Sequence, residues 1–266
     1  MSEQIKRLIS WIACSILTLA VCVSLFLLIM NLSGAARIWT IVGIVLVSLI
    51  ILIIVLKRNA RNEQMVGSLL DILYKNADPA AFIAASEKAL EKTKNKALRC
   101  TLMLNLAVGY EAIGDFSHAI AIMKQISVLL TDRTSKAIYY CNLAGFYAQG
   151  DRLTDGLGAY KVARQYYEKC KKKIPNAYFL YTRGLLFYTE AQYEDAMDSF
   201  KKVQTNQFQD RHAQTKLQLY MARTFAAMGK TKDAREYYSK VLQRNTYPYL
   251  LTCAKQELDA LQKNVE

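Results

Sequence analysis

Two charge-free apolar runs, LISWIACSILTLAVCVSLFLLIM (8–30) and IWTIVGIVLVSLIILIIVL (38–56), constrain this chain more than any other feature. A bilayer core takes about 20 apolar residues as helix, so runs of this length can each cross it, the first with some tilt. The connector Asn31–Arg37 is short enough to impose an antiparallel hairpin. A cleaved signal peptide is the competing reading, with Lys6 and Arg7 ahead of the run and Ser33-Gly34-Ala35-Ala36 as a cleavage site. The first run exceeds the roughly 7–15 residues of a signal core, and a second run follows at once, which favours an uncleaved hairpin. These runs also explain why 53% of the chain is hydrophobic, against roughly 45–50% in ordinary soluble domains.

The flanks set an orientation. Lys6 and Arg7 precede the first run, and Lys57, Arg58 and Arg61 follow the second, while the connector carries only Arg37. Basic residues collect on the cytoplasmic side, so both termini are expected in the cytoplasm. Trp11 and Trp39 each stand just inside the start of a run, at the depth that amphipathic rings favour. Neither run contains an ionisable side chain, which argues for an anchor rather than an ion or proton path. Ser10, Cys14, Thr18 and Cys22 form a small-residue stripe suited to packing on the second run near Gly43. A multi-pass protein of a bacterial plasma membrane is the expected setting.

Beyond Arg61 the chain repeats itself. Residues 105–119 (NLAVGYEAIGDFSHA), 142–156 (NLAGFYAQGDRLTDG), 182–196 (TRGLLFYTEAQYEDA) and 220–234 (YMARTFAAMGKTKDA) share one order of small and large positions. A small residue (Ala107, Ala144, Gly184, Ala222) precedes an aromatic three positions on (Tyr110, Tyr147, Phe187, Phe225). A second small residue follows (Ala119, Gly156, Ala196, Ala234). Next come a bulky one (Met123, Tyr160, Phe200, Tyr238) and then Ile126, Ala163, Val203 or Val241. Gly114-Asp115, Gly150-Asp151 and Gly229-Lys230 mark turns between two helices of a unit.

This pattern resembles the tetratricopeptide repeat, a helix–turn–helix unit in which small residues sit where the two helices cross. The resemblance covers about 200 residues, with loops longer than the family standard and Arg183 where an aliphatic is usual. It implies an all-α chain: an N-terminal transmembrane hairpin (1–61), then a cytoplasmic solenoid (62–266). The expected units are a degenerate one at 63–97, then about 100–133, 137–174, 177–210 and 215–247, with a terminal helix at 248–262. Asp78-Pro79 reads as a helix start within the degenerate unit.

The chemistry-bearing residues are sparse. Cys14, Cys22, Cys100, Cys141, Cys170 and Cys253 form no CxxC pair, and the last four face a reducing compartment on this topology, so disulfides and zinc are not expected. His118 and His212 are the only histidines and belong to different units. No phosphate-cradling glycine loop occurs, and Gly156-Leu157-Gly158 reads as close helix packing. No catalytic, cofactor or metal site is expected, and the chain reads as a non-enzymatic scaffold.

Recognition of a protein partner is then the implied function. Carrying over the family's concave groove gives Leu104 and Val108 from the first clear unit and Ile138, Cys141 and Asn142 from the second. The third supplies Tyr178, Tyr181, Leu185 and Tyr188, and the fourth Lys216, Leu219 and Arg223. That groove is apolar, tyrosine-rich and basic towards its C-terminal end, suited to a helical or extended apolar segment. The Lys/Asn/Arg clamp that some family members place on a terminal carboxylate is not reproduced.

The net charge of +13 divides into +5 in the first 61 residues and +8 in the rest. Lys169, Lys171, Lys172 and Lys173 cluster at one helix end, with Lys201 and Lys202 in the next unit. Such lysines complement a helix C-terminus. Contact with an anionic leaflet, or with nucleic acid, is the alternative use of that patch.

Overall fold

The computed structural model describes residues 34–126, 130, 132–170, 174–203 and 210–263. The first apolar run, its flank Lys6 and Arg7, and Lys171, Lys172 and Lys173 lie outside these. Every described element is an α-helix. The chain divides into two compact units, 1–63 and 64–266.

In the first unit, the described residues belong to helix α1 (Gly34–Tyr74). From Gly34, the first described residue, it is already helical through the end of the expected connector, where Ala35, Ala36 and Arg37 are good helix formers. It also continues past 56 without interruption, since proline is absent until Pro79. Each residue from 41 to 56 is exposed, and Ile38 and Trp39 are 63% and 73% exposed. A helix apolar on every side has no polar face to give to water. Among the described residues, α1 is the one helix long and apolar enough to cross a membrane.

In the second unit, the last turns of α1 pair with α2 (Pro79–Lys92), and four further pairs follow. These are α3 (Lys96–Ala112) with α4 (Phe116–Ile126), and α5 (Arg133–Gln149) with α6 (Leu153–Tyr167). Then come α7 (Asn176–Thr189) with α8 (Tyr193–Lys201), and α9 (Arg211–Ala227) with α10 (Thr231–Leu242). Helix α11 (Pro248–Lys263) closes the series. Short polar side chains start these helices. Asp78, Asn95, Asp132 and Asp210 each accept a backbone N–H from the first turn, and Pro79 occupies the first turn of α2.

The turn inside each pair repeats one geometry. Gly114, Asp151, Ala191 and Gly229 occupy equivalent positions and all take left-handed φ, between 56° and 82°. The following N–H returns to the carbonyl five residues back: Asp115 to Tyr110, Arg152 to Tyr147, Gln192 to Phe187 and Lys230 to Phe225. This is the Schellman ending of a helix. Ala77, at φ 55°, holds the same place after α1. The second unit's turn therefore pivots on Asp151 rather than on the preceding Gly150, whose φ is −99°.

The small positions read from the sequence are where the helices cross. Ala107, Ala144, Ala222, Ala119, Ala196 and Ala234 are all fully buried. At Gly184 a Cβ would stand 2.4 Å from the Phe200 ring, so the α7–α8 crossing needs the bare backbone. Arg183 keeps its charge partly buried by donating Nε–H to Ser199 Oγ at 3.1 Å.

Candidate functional site

The equivalent positions of successive first helices line the inner side of the solenoid, and its ends meet there. Arg211, at the start of α9, donates to the Tyr74 and Lys75 carbonyls at 3.0 and 2.9 Å, capping the C-terminal end of α1. His212 is fully buried and stacks on Tyr247, with centroids 3.9 Å apart. Its Nε2 lies 3.1 Å from the Tyr74 carbonyl and its Nδ1 2.9 Å from Thr246 Oγ1. A carbonyl only accepts, so Nε2 carries the proton and Nδ1 accepts from the threonine hydroxyl. Lys216 donates to both Glu111 oxygens, at 2.9 and 2.8 Å, across 105 residues of chain. From α11, the Tyr249 ring meets Phe116 edge-on at 6.3 Å and lies over Gly114.

This closure converts the expected open groove into a largely enclosed interior. Leu185 and Leu219 are 1% exposed and Cys141 is 2% exposed. Tyr181 packs against Phe200 and edge-on to Tyr220, and Tyr188 edge-on to Tyr220. Leu104 is half-buried against its own unit's core. Arg223 lies over the Tyr220 ring and is committed to Glu257 of α11, with Nη2 to Oε1 at 2.6 Å. Tyr238 adds its hydroxyl to the same carboxylate at 2.9 Å. The sequence placed these groups on an open partner groove. It did not show that the chain itself occupies most of that groove.

What remains is a cavity of about 210 Å³. Val108, Cys141, Asn142, Tyr178, Tyr181, Leu185 and Lys216 from the expected set line it. Ile138, Leu104, Tyr188, Leu219 and Arg223 do not. Sequence reasoning missed Tyr74, Glu111, Gln149, Asp210 and Tyr247, which complete its polar wall. Glu111 had a signal: its equivalents in the other units are Ala148, Tyr188 and Ala226, so an acid there breaks the pattern. Tyr74 and Tyr247 had none, since they lie in the loosest copies of the repeat.

Burial pushes the Cys141 thiol up to about 12, which leaves no thiolate nucleophile at neutral pH. Burial, then the negative charge of Asp210, raises the tyrosines at 74 and 178 above their ordinary value. Among the described residues no His/Cys/Asp/Glu group is placed to hold a metal. Asp115 caps α4 by accepting the His118 backbone N–H, and the exposed His118 ring pairs with the same carboxylate and stacks on Tyr110. Of the lysine patch, Lys169, Lys201 and Lys202 are exposed, and Lys202 is paired with Asp198 one turn back.

Ile138 and Tyr178 stand out because each is 41% exposed. They occupy the same repeat position on α5 and α7, first helices of consecutive units that pack side by side. Together they form an apolar ledge, with Tyr178 at the edge of the cavity.

A tetratricopeptide-repeat family model matches residues 217–246, the α9–α10 pair. Human protein O-mannosyl-transferase TMTC1 is 27% identical over 95 residues, which are 36% of this chain and 10% of that protein. The chain thus spans about a tenth of the length of that curated relative. Among solved structures, a thermophilic TPR protein of Thermus thermophilus is 18% identical, covering 76% of this chain and 99% of that one, with a TM-score of 0.50. A tetratricopeptide repeat protein from Parabacteroides merdae is 16% identical over 76% and 73% of the two chains, with a TM-score of 0.38. Repeat register, family match and the first of these structures agree on the fold: the α9–α10 pair matches a tetratricopeptide repeat, and the helical body beyond residue 63 resembles a tetratricopeptide-repeat solenoid.

Proposed function

We propose that this chain is a membrane-anchored scaffold that holds a protein partner on the inner face of its repeat array and catalyses no reaction. The observation that carries the reading is the ledge of Ile138 and Tyr178, two large apolar side chains left exposed on adjacent first helices while their neighbours are buried. Exposed apolar surface beside a concave polar pocket is the usual make-up of a partner site. The occupant is a short helical or extended segment, because the inner face beside the ledge narrows to a cavity of about 210 Å³. The anchor is the apolar part of α1, paired with the first apolar run as a hairpin, both termini lying in the cytoplasm. The O-mannosyl transfer in the name of the human relative is not carried over, as the shared stretch is a small part of that protein.

A photo-crosslinking residue at position 138, introduced into the full chain in its native membrane, tests this. The same residue at 157 is the control, since Leu157 is equally exposed but lies on a second helix. A discrete adduct from 138, absent from 157 and lost with Tyr178→Ala, is the expected result. Equal adducts from both positions refute the ledge.

A further inference from the structure

The cavity behind the ledge has a formal charge of −1, with Glu111 and Asp210 against Lys216. Glu111 shares its charge with Lys216 and also accepts from Gln149 Nε2 at 3.2 Å. Among the described residues Asp210 accepts the backbone N–H groups of His212 and Ala213, at 2.9 and 3.2 Å, and forms no ion pair. Arg211 is turned away from the lining, onto the carbonyls of Tyr74 and Lys75. Tyr247 contributes a further polar atom. It is 2% exposed, one face of its ring is covered by His212, and its hydroxyl has no hydrogen-bond partner among the described residues. A buried hydroxyl left unpaired is unfavourable, and native interiors rarely retain one without a use.

We propose that this cavity is a socket for a single cationic side chain, lysine or arginine, carried by the protein partner. The proposal rests on the partner reading above and adds the chemistry of the contact. The volume suits one long side chain. Its methylene stem would lie along Cys141, Ala213 and the Tyr178 ring, which are apolar or aromatic. Its charged end reaches Asp210 and donates to the Tyr247 hydroxyl oxygen. An aromatic wall with one uncompensated carboxylate favours a cation over a neutral or anionic group. Burial first, with the negative charge of Asp210 adding to it, raises the tyrosines at 74, 178 and 247 above their ordinary value, so each hydroxyl is neutral. An anion would meet Asp210 and Glu111 without a free positive group, as Lys216 is already committed.

The test uses the full chain in phosphatidylcholine nanodiscs, with empty nanodiscs as the blank, and ligand-observed NMR. The probes are Nα-acetyl-lysine amide, its neutral analogue Nα-acetyl-norleucine amide, and Nα-acetyl-glutamate. Saturable binding of the lysine probe, about tenfold tighter than the norleucine probe and with none for glutamate, is expected. Asp210→Asn preserves the helix cap, since asparagine caps as well as aspartate, and should abolish the preference for charge. Tyr247→Phe removes only the hydroxyl. It should weaken the lysine probe about tenfold while leaving the fold at least as stable as before. Equal binding of the charged and neutral probes, or a preference unchanged in both variants, overturns the socket. Such a result leaves the crosslink at 138 unaffected, because Ile138 is outside the lining.

Discussion

The Glu111–Lys216 pair joins α3 to α9 across the closed solenoid, and its removal has a calculable effect. The two side chains are 8% and 17% exposed, and both lysine-to-carboxylate distances are below 3 Å. Taking one partner from a buried pair costs about 3–5 kcal/mol, because the survivor keeps an uncompensated charge. The residual exposure of Lys216 lets some water in, so about 2–4 kcal/mol is the figure for Lys216→Met. For a body of about 200 residues this lowers Tm by about 6–12 °C. Glu111→Gln should cost a similar amount, whereas the double variant should cost no more than either single one, giving a coupling of at least about 2 kcal/mol. The assay is urea unfolding of the detergent-solubilised chain followed by far-ultraviolet circular dichroism, with amide exchange to localise the opening to α3 and α9. The exposed Asp71–Lys75 pair is the internal control, at 53% and 73% exposure, and its loss should change stability by less than about 0.5 kcal/mol. If Lys216→Met is as mild as Lys75→Met and no coupling is seen, α3 and α9 are not joined in solution, and the enclosed cavity goes with them.

Ala191 is left-handed where two equivalent turns use glycine, so Ala191→Gly should raise stability by about 1 kcal/mol, readable as a rise in Tm. Glu257 gathers Arg223 and Tyr238, and Glu257→Ala should cost about 2 kcal/mol and speed amide exchange in α11 before other helices. Burial lowers the pKa of His212 below 6.5, only partly offset by the Tyr74 carbonyl and Asp210. The unfolded chain therefore binds a proton that the folded chain does not. Stability is at its full value above pH 6.5 and falls as pH drops below it, and His212→Asn should flatten that dependence in unfolding curves between pH 7.5 and 5.5. For the anchor, protease added outside intact cells or spheroplasts should spare residues 64–266 until the membrane is opened, and prompt digestion contradicts a cytoplasmic body.

The repeat units were legible because their signals are local. A small residue at a helix crossing and a bulky one a turn away are set by contacts within one pair of helices, so Ala107, Ala144 and Ala222 announce themselves at regular spacing. The turns were half legible. Gly114 and Gly229 mark left-handed positions, but Asp151 and Ala191 hold the same geometry without the residue that advertises it, because the Schellman bonds fix the backbone whatever the side chain. The continuity of α1 was hidden for the opposite reason: the change from apolar to charged residues at Lys57 looks like a boundary, yet nothing there breaks a helix. The enclosure of the inner face was not legible at all. It depends on the sum of small rotations between successive units, and that sum decides whether Lys216 meets solvent or Glu111. Glu111 carries the single trace of it. An acid at a position that is Ala148, Tyr188 and Ala226 elsewhere has no reason within its own unit, so its partner must come from a distant one. A charge that breaks a repeat's own pattern is thus the place to look for long-range closure, and here it stands at the wall of the cavity that the partner is proposed to enter.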